Sequence, residues 1–264
     1  MNTQDRFSLQ GKVAVITGGE RLYGKSASAG LCDMGAKLYI ACPFVKEAET
    51  VAEEIRQSGG DATAIEYNQA EESSIKNLCA AVLEREGRID ILVNAARVIA
   101  TGSGWRQGLS DLELALKVNT LGLLLVTREV GAVMMKQAAG SIINIASMMG
   151  NVGVEPTNYH GFPDMLAGCF GHDYYFVKSG IIAFTKQAAS YYGRYGVRVN
   201  CISPGGIQSE RTPDGFVLNY ARHTMLARMA NDEDLKGVVA FLASEASSYI
   251  TGVNLPMDGG YIHI

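Results

Sequence analysis

Charge, paired cysteine, histidine and long apolar runs are all in short supply in this chain, and each shortage narrows what it can be. Only 19% of the 264 residues are charged while 47% are hydrophobic, so a solvated, disordered chain is excluded and a full core can be buried. The 23 basic and 27 acidic residues leave a net charge of -4 with no basic run, which excludes a nucleic-acid stripe. Cys32, Cys42, Cys79, Cys169 and Cys201 are odd in number, widely spaced and free of any Cys-x-x-Cys pair. Neither a disulfide framework nor a zinc ribbon follows, and a reducing, cytoplasmic compartment is expected. The four histidines, His160, His172, His223 and His263, show no ligand spacing, so no metal is expected. Met1 to Gln10 carries Asp5 and Arg6 with no apolar run behind them, and the uncharged stretch Gln137 to Val154 is broken by Gly, Ser and Asn. A secretory signal and a membrane span are thereby excluded, and a soluble protein acting on a small molecule is expected.

What is present is a rhythm. Short apolar runs bounded by Gly, Asp or Asn fall at Val13 to Thr17, Leu38 to Ala41, Ala62 to Glu66, Ile89 to Val93, Ser141 to Ala146, Val197 to Cys201 and Val253 to Met257. Segments of helical period separate them, at Tyr23 to Met34, Lys46 to Ser58, Glu71 to Glu86, Asp111 to Gln137, Asp173 to Tyr192 and Asp232 to Ala243. Strands this apolar must be covered on both faces, which predicts an α/β fold with a doubly wound, Rossmann-type parallel sheet of about seven strands. A ligand site then belongs at the carboxyl ends of the strands. No linker or internal repeat divides residues 1–264, so one domain is expected. Two irregular stretches, Met148 to His172 and Ser203 to Arg228, follow predicted strands and mark where a substrate would sit.

The first strand runs into Thr17-Gly18-Gly19-Glu20-Arg21-Leu22-Tyr23-Gly24-Lys25. Such a glycine-bearing turn opening a helix aims backbone N–H groups and the helix dipole at a pyrophosphate, although it is equally the form of an ordinary strand-to-helix turn. Further along lie Val93-Asn94-Ala95-Ala96 after the fourth strand, Asn144-Ile145-Ala146-Ser147 at the fifth, and one Tyr-x-x-x-Lys, Tyr174 to Lys178, whose spacing puts both side chains on one helix face. Asn119 sits in Lys117-Val118-Asn119-Thr120-Leu121-Gly122, and Asn200-Cys201-Ile202-Ser203-Pro204-Gly205 and Met257-Asp258-Gly259-Gly260-Tyr261 follow. Taken in order, these residues resemble the short-chain dehydrogenase/reductase family over nearly the whole chain.

The resemblance implies a catalytic tetrad of Asn119, Ser147, Tyr174 and Lys178. A phenol ordinarily keeps its proton to about pH 10, and a neighbouring ammonium favours the phenolate, which suits an acid/base residue. Lys178 would supply that charge and hold a nicotinamide ribose, Ser147 would bond the reacting oxygen, and Asn119 would stabilise its helix and a relaying water. The resemblance also implies NAD or NADP, bound by Gly18, Arg21, Leu22, Gly24, Cys42, Asn68, Asn94, Ala95, Pro204, Gly205 and Ile207 together with Tyr174 and Lys178.

Three of these positions depart from the family pattern. Leu22 or Arg21 stands at the middle glycine, where a side chain would crowd the phosphates. Cys42 and Pro43 stand where an Asp commonly meets the ribose of NAD; with no carboxylate there and Arg21 in reach, NADP is left open, while Arg21 could equally be solvated or meet the pyrophosphate. Asn68 replaces an Asp beside the adenine.

Ser147 and Tyr174 are 27 residues apart, about twice the family's usual spacing, so Met148 to Asp173 includes an insertion beside the pocket. That insertion, with the altered glycine turn, resembles a branch of sugar and nucleotide-sugar metabolism. Asn158, Tyr159, His160 and His172 could bond a polyhydroxylated substrate; Met148, Met149, Phe162 and Met165 could equally line an apolar pocket. Trp105 and Arg106 could reach the same place or sit on the surface. Interconversion of a secondary alcohol and a ketone is the leading expectation. An epimerase or dehydratase, or a cofactor-poor binding protein suggested by the missing glycine, are the alternatives. The resemblance also implies a homodimer or homotetramer built on the two long helices Asp111 to Gln137 and Asp173 to Tyr192.

Overall fold

Every position of Val13–Thr17 is buried, and a strand with no wet face needs helices on both sides. The computed structural model, which describes residues 2–99, 105, 107–169 and 171–263, supplies them. In chain order the elements are β1 (Val13–Thr17), α1 (Leu22–Asp33), β2 (Lys37–Cys42), α2 (Val45–Gln57), β3 (Asp61–Glu66), α3 (Glu72–Glu86) and β4 (Ile91–Asn94). They continue with α4 (Leu109–Leu116), α5 (Leu123–Gln137), β5 (Gly140–Ile145), α6 (Pro163–Ala167), α7 (His172–Tyr192), β6 (Val197–Pro204), α8 (Asp214–Ala221), α9 (Asp234–Ala243) and β7 (Asn254–Met257). The seven strands form one parallel sheet in the order β3-β2-β1-β4-β5-β6-β7.

Alternation along β1 splits the core into two layers. Ala14 and Ile16 face Ala27 and Leu31 of α1, Val51 and Ile55 of α2, and Leu235 and Val239 of α9. Val13 and Val15 face Ile75 and Leu78 of α3, Val126 and Val130 of α5, and Ala188 and Tyr192 of α7. Side chains as fully enclosed as Ile16 and Leu38 each contribute about 1.5–3 kcal/mol by leaving water. The chain reverses direction across the sheet between β1 and β4, so the crevice of a doubly wound fold opens at their carboxyl ends.

Two expectations need correction. The fourth strand starts at Ile91, two residues later than its apolar run, because Asp90 turns back to accept from the Val13 amide at 2.9 Å and to pair with Arg88. The helix expected over Asp111 to Gln137 is interrupted: α4 and α5 are joined by a π-helical stretch, Lys117–Gly122. The wider turn is compensated from outside the helix, since Gln69 Nε2 donates to the Val118 carbonyl at 2.8 Å. The two irregular stretches carry short helices of their own, α6 in the first and α8 in the second. Among the described residues no helix is long and apolar enough to cross a membrane.

Candidate active site

The carboxyl ends of β1, β4, β5 and β6 are fastened to one another by short bonds. At β1, Gly18 lies in the left-handed region with φ 71°, and its amide donates to the Ala41 carbonyl of β2 at 2.9 Å. A Cβ on Gly18 would lie 2.5 Å from Ala96 Cα, and one on Gly24 1.9 Å from the Gly18 carbonyl oxygen; only glycine fits either place. Leu22, at the family's middle glycine, holds φ 46°. The backbone therefore makes the glycine-type turn regardless of the side chain, at a cost of about 1–2 kcal/mol. Leu22 is exposed, so the turn keeps its shape while carrying an extra apolar group at its rim. Tyr23 closes the other side, its hydroxyl donating to the Gly205 carbonyl at 3.0 Å, which ties the start of α1 to the loop leaving β6.

Ser147 is buried just beyond β5, its Oγ accepting from the Met149 amide at 3.2 Å as the cap of a short turn. Tyr174 stands in the first turn of α7, whose start is fixed by the Tyr174 amide donating to Gly171 at 3.0 Å. Lys178, one turn on, is buried, with Nζ 5.6 Å from the centre of the Tyr174 ring and donating at 2.8 Å to the carbonyl of Ile145. Burial pushes the Lys178 ammonium down to about 7, and the nearby charge of Arg97 pushes the same way. Asn119 lies in the π-helical stretch and clamps the loop after β4, accepting from the Val98 amide at 2.8 Å and donating to the Val98 carbonyl at 2.7 Å. The four residues of the expected tetrad thus converge on the ends of β4 and β5. Both ends of the Asn119 amide are taken by Val98, so its observed part is to hold the loop.

A family model described as enoyl-(acyl carrier protein) reductase matches residues 23–262. The 3-oxoacyl-[acyl-carrier-protein] reductase of Synechocystis is 33% identical over 260 residues, 97% of this chain and 98% of its own length. A short-chain type dehydrogenase/reductase from Mycobacterium marinum has the same fold, with a TM-score of 0.87 and 28% identity over 100% of both chains. The chain belongs to the short-chain dehydrogenase/reductase family. It is an oxidoreductase acting between CH–OH and carbonyl groups. Another member, a gluconate 5-dehydrogenase from Burkholderia cenocepacia solved with NADP and tartrate, is 28% identical over 100% of both chains with a TM-score of 0.88.

Within this short-chain dehydrogenase/reductase, the remaining residues expected at a cofactor fall into two groups. Gly18, Leu22, Gly24, Ala95, Pro204, Gly205 and Ile207 stand at the strand ends, with Ala95 bonded through its amide to the Thr17 carbonyl at 3.0 Å. The side chains of the others are already engaged. Arg21 is held by both oxygens of Glu47, at 2.7 and 2.6 Å, and lies over the Phe44 ring at 5.3 Å. Cys42 is buried in the core, and burial, with the charge of Glu20 next, pushes its thiol up to about 11. Asn68 closes a turn ahead of α3, its Oδ1 accepting from the Ala70 amide at 3.0 Å and its Nδ2 donating to Glu71 at 2.8 Å. Asn94 Nδ2 donates to Thr127 at 3.0 Å and to Asn144 at 2.8 Å, and Asn144 donates on to Thr185 of α7 at 2.9 Å. That buried ladder locks α7 to the sheet beneath Tyr174 and Lys178.

The two irregular stretches, where a substrate was expected, are bonded to each other. Asn219 of α8 donates to the carbonyls of Asn158 and His160, at 3.2 and 2.9 Å, and Asn158 donates to the Tyr261 hydroxyl at 2.7 Å. Tyr220 donates to Met148 Sδ at 3.2 Å while accepting from the Gly206 amide at 2.6 Å. Met148, Met149, Tyr220, Met229 and Tyr261 form a buried cluster against which Tyr174, Tyr175 and Phe216 pack. Asn158 is therefore structural at its amide nitrogen, Tyr159 stacks on Phe216 at 5.3 Å, His160 is exposed, and Phe162 and Met165 are half-buried. Trp105 is exposed; Arg106 and the His172 side chain lie outside the described residues. Sequence reasoning missed Tyr23, Arg97 and Asn219. Arg97 directly follows the Asn-Ala-Ala motif, which was the available signal; the other two act through contacts that no local pattern reveals.

Proposed function

We propose that this enzyme uses NAD or NADP to interconvert a secondary alcohol and a ketone on a polyhydroxylated, sugar-like substrate, with Tyr174 as its acid/base residue. The observation that carries the reading is the convergence on one place of the Tyr174 ring, the Lys178 ammonium 5.6 Å from it and buried Ser147 at the end of β5. The turn residues Gly18 to Gly24 would hold the pyrophosphate, since their backbone keeps the glycine-type path even at Leu22. When bound, the nicotinamide supplies or accepts the hydride. Ser147 Oγ donates to the reacting oxygen and aims it at Tyr174. Tyr174 Oη gives that oxygen a proton in reduction and removes one in oxidation. Lys178, anchored to the Ile145 carbonyl, holds the ribose and, when protonated, places positive charge beside the phenol.

The exposed Arg97 guanidinium, close enough to act on Lys178, favours an anionic substrate such as a sugar acid. The relatives named above as gluconate dehydrogenase and as 3-oxoacyl reductase set the two substrate classes to compare. Exposed Leu114, Leu121 and Leu124 along α4 and α5, with Phe176 and Tyr191 on α7, support pairing of these helices in a homodimer or homotetramer. We place the protein in the cytoplasm, as one domain whose five cysteines are free. The test is absorbance at the nicotinamide band with a panel of sugar acids, polyols and 3-oxoacyl thioesters, each with both cofactor forms. Turnover of a sugar acid is expected. Turnover confined to acyl thioesters overturns the substrate class, and epimerisation without net absorbance change overturns the redox reading.

A further inference from the structure

A carboxylate stands at the ribose corner after all, and it comes from the glycine turn, not from β2. Glu20 is two residues past Gly18, whose amide is bonded to the Ala41 carbonyl near the end of β2 at 2.9 Å. This connection brings Glu20 beside Cys42, the residue that ends β2. Glu20 is half-buried there, with one carboxylate oxygen, Oε2, enclosed beside Cys42, so the protein positions the carboxylate before any ligand arrives. The cation that would welcome a phosphate there is committed elsewhere: Arg21 is gripped by both oxygens of Glu47 and flattened over Phe44. Cys42 is buried and its thiol is pushed up to about 11, so it contributes neither charge nor surface. With Arg21 and Glu47 offsetting each other, Glu20 leaves the corner net negative.

We propose that Glu20 accepts hydrogen bonds from the adenosine ribose hydroxyls and repels a 2′-phosphate, making this enzyme selective for NAD over NADP. A carboxylate on the ribose hydroxyls is the recognised physical basis for that selectivity, and like charges a few ångströms apart in a partly dry corner oppose each other strongly. The proposal rests on the dinucleotide reading above and names the form that the reading leaves open.

The test is direct titration of the whole protein with NADH and with NADPH, followed by nicotinamide fluorescence without any substrate. The wild type is expected to bind NADH at least about tenfold more tightly, a difference of about 1.4 kcal/mol. Glu20→Gln, which keeps shape and removes charge, should weaken NADH and strengthen NADPH, shifting their ratio by about tenfold or more. Glu47→Gln, on an exposed helix away from the turn's backbone, should free Arg21 and tighten NADPH alone. Equal or tighter binding of NADPH by the wild type overturns the proposal and leaves the dinucleotide reading standing, as does an unchanged ratio in Glu20→Gln. Binding of neither form overturns both.

Discussion

The glycine turn, proposed above as the nucleotide end, and the surroundings of α8, proposed as the substrate end, are held by different kinds of bond. At the nucleotide end the joints are made by backbone: Gly18 to Ala41, Ala95 to Thr17, and the near-contact between Gly24 and the Gly18 carbonyl. At the substrate end they are made by side chains: Asn219 to Asn158 and His160, Tyr220 to Gly206 and Met148, and Asn158 to Tyr261. Backbone joints constrain the path of the chain: Gly18 and Gly24 admit no Cβ, whereas Leu22 holds φ 46° with its side chain exposed. Side-chain joints depend on residue identity, so the substrate end can change with single substitutions while the nucleotide end stays the same. Lys178 sits at the seam, a side chain anchored on a backbone carbonyl of β5.

Three substitutions sharpen or break this contrast. The largest effect belongs at the seam: Tyr174→Phe should lower kcat by about 10²–10⁴, as expected for loss of a general acid/base, with dinucleotide affinity nearly intact by fluorescence titration. A turnover close to wild type would remove Tyr174 from the chemistry and leave the nucleotide end unaffected.

Next comes Lys178. Its folded-state value lies near 7, below the ordinary 10.5, so the native protein carries a charged-lysine penalty that is complete below pH 7. Between pH 7 and 10.5 the unfolded chain holds a proton the native state has released, so this penalty is relieved as pH rises. The melting temperature of Lys178→Met minus that of the wild type should therefore fall by at least about 2 °C between pH 7 and 10 in differential scanning calorimetry. A difference that is flat with pH would mean that the lysine is solvated in solution.

The smallest effect is expected at the turn. Leu22→Gly removes a left-handed cost of about 1–2 kcal/mol and adds an unfolded-chain entropy of about 0.5–1 kcal/mol. Denaturant unfolding should show a gain of up to about 1.5 kcal/mol. A clear loss of stability would show that the leucine side chain, and not only the backbone, shapes the nucleotide end.

How far the sequence could be read follows the same division. The sheet was legible because fully apolar runs such as Val13–Thr17 have few alternatives to a buried strand. Tyr174 and Lys178 were legible because four-residue spacing guarantees a shared helix face. Leu22 was expected to crowd the phosphates; the structure adds that it holds φ 46° with its side chain exposed, a backbone angle that sequence does not show. Arg21 and Glu47 are 26 residues apart, and nothing local foretells that the one would occupy the other. Glu20 was passed over at the ribose for a related reason: the expectation was tied to β2, whereas three-dimensional proximity is supplied by the neighbouring loop. The π-helical stretch escaped because a change of one residue in periodicity is invisible within a long apolar helix.

That stretch, Lys117–Gly122, has a consequence for the geometry of the whole site. Each residue of a regular helix turns the chain by about 100°, so the wider winding sets the azimuth of α4 against α5. Asn119 reaches Val98 only from that offset. Deleting one residue between 117 and 122 would restore an unbroken α-helix with every intrahelical bond made. It would also rotate α4 by about a quarter of a circle and carry Asn119 off Val98. The locally imperfect helix is thus the dial that keeps Asn119 on Val98.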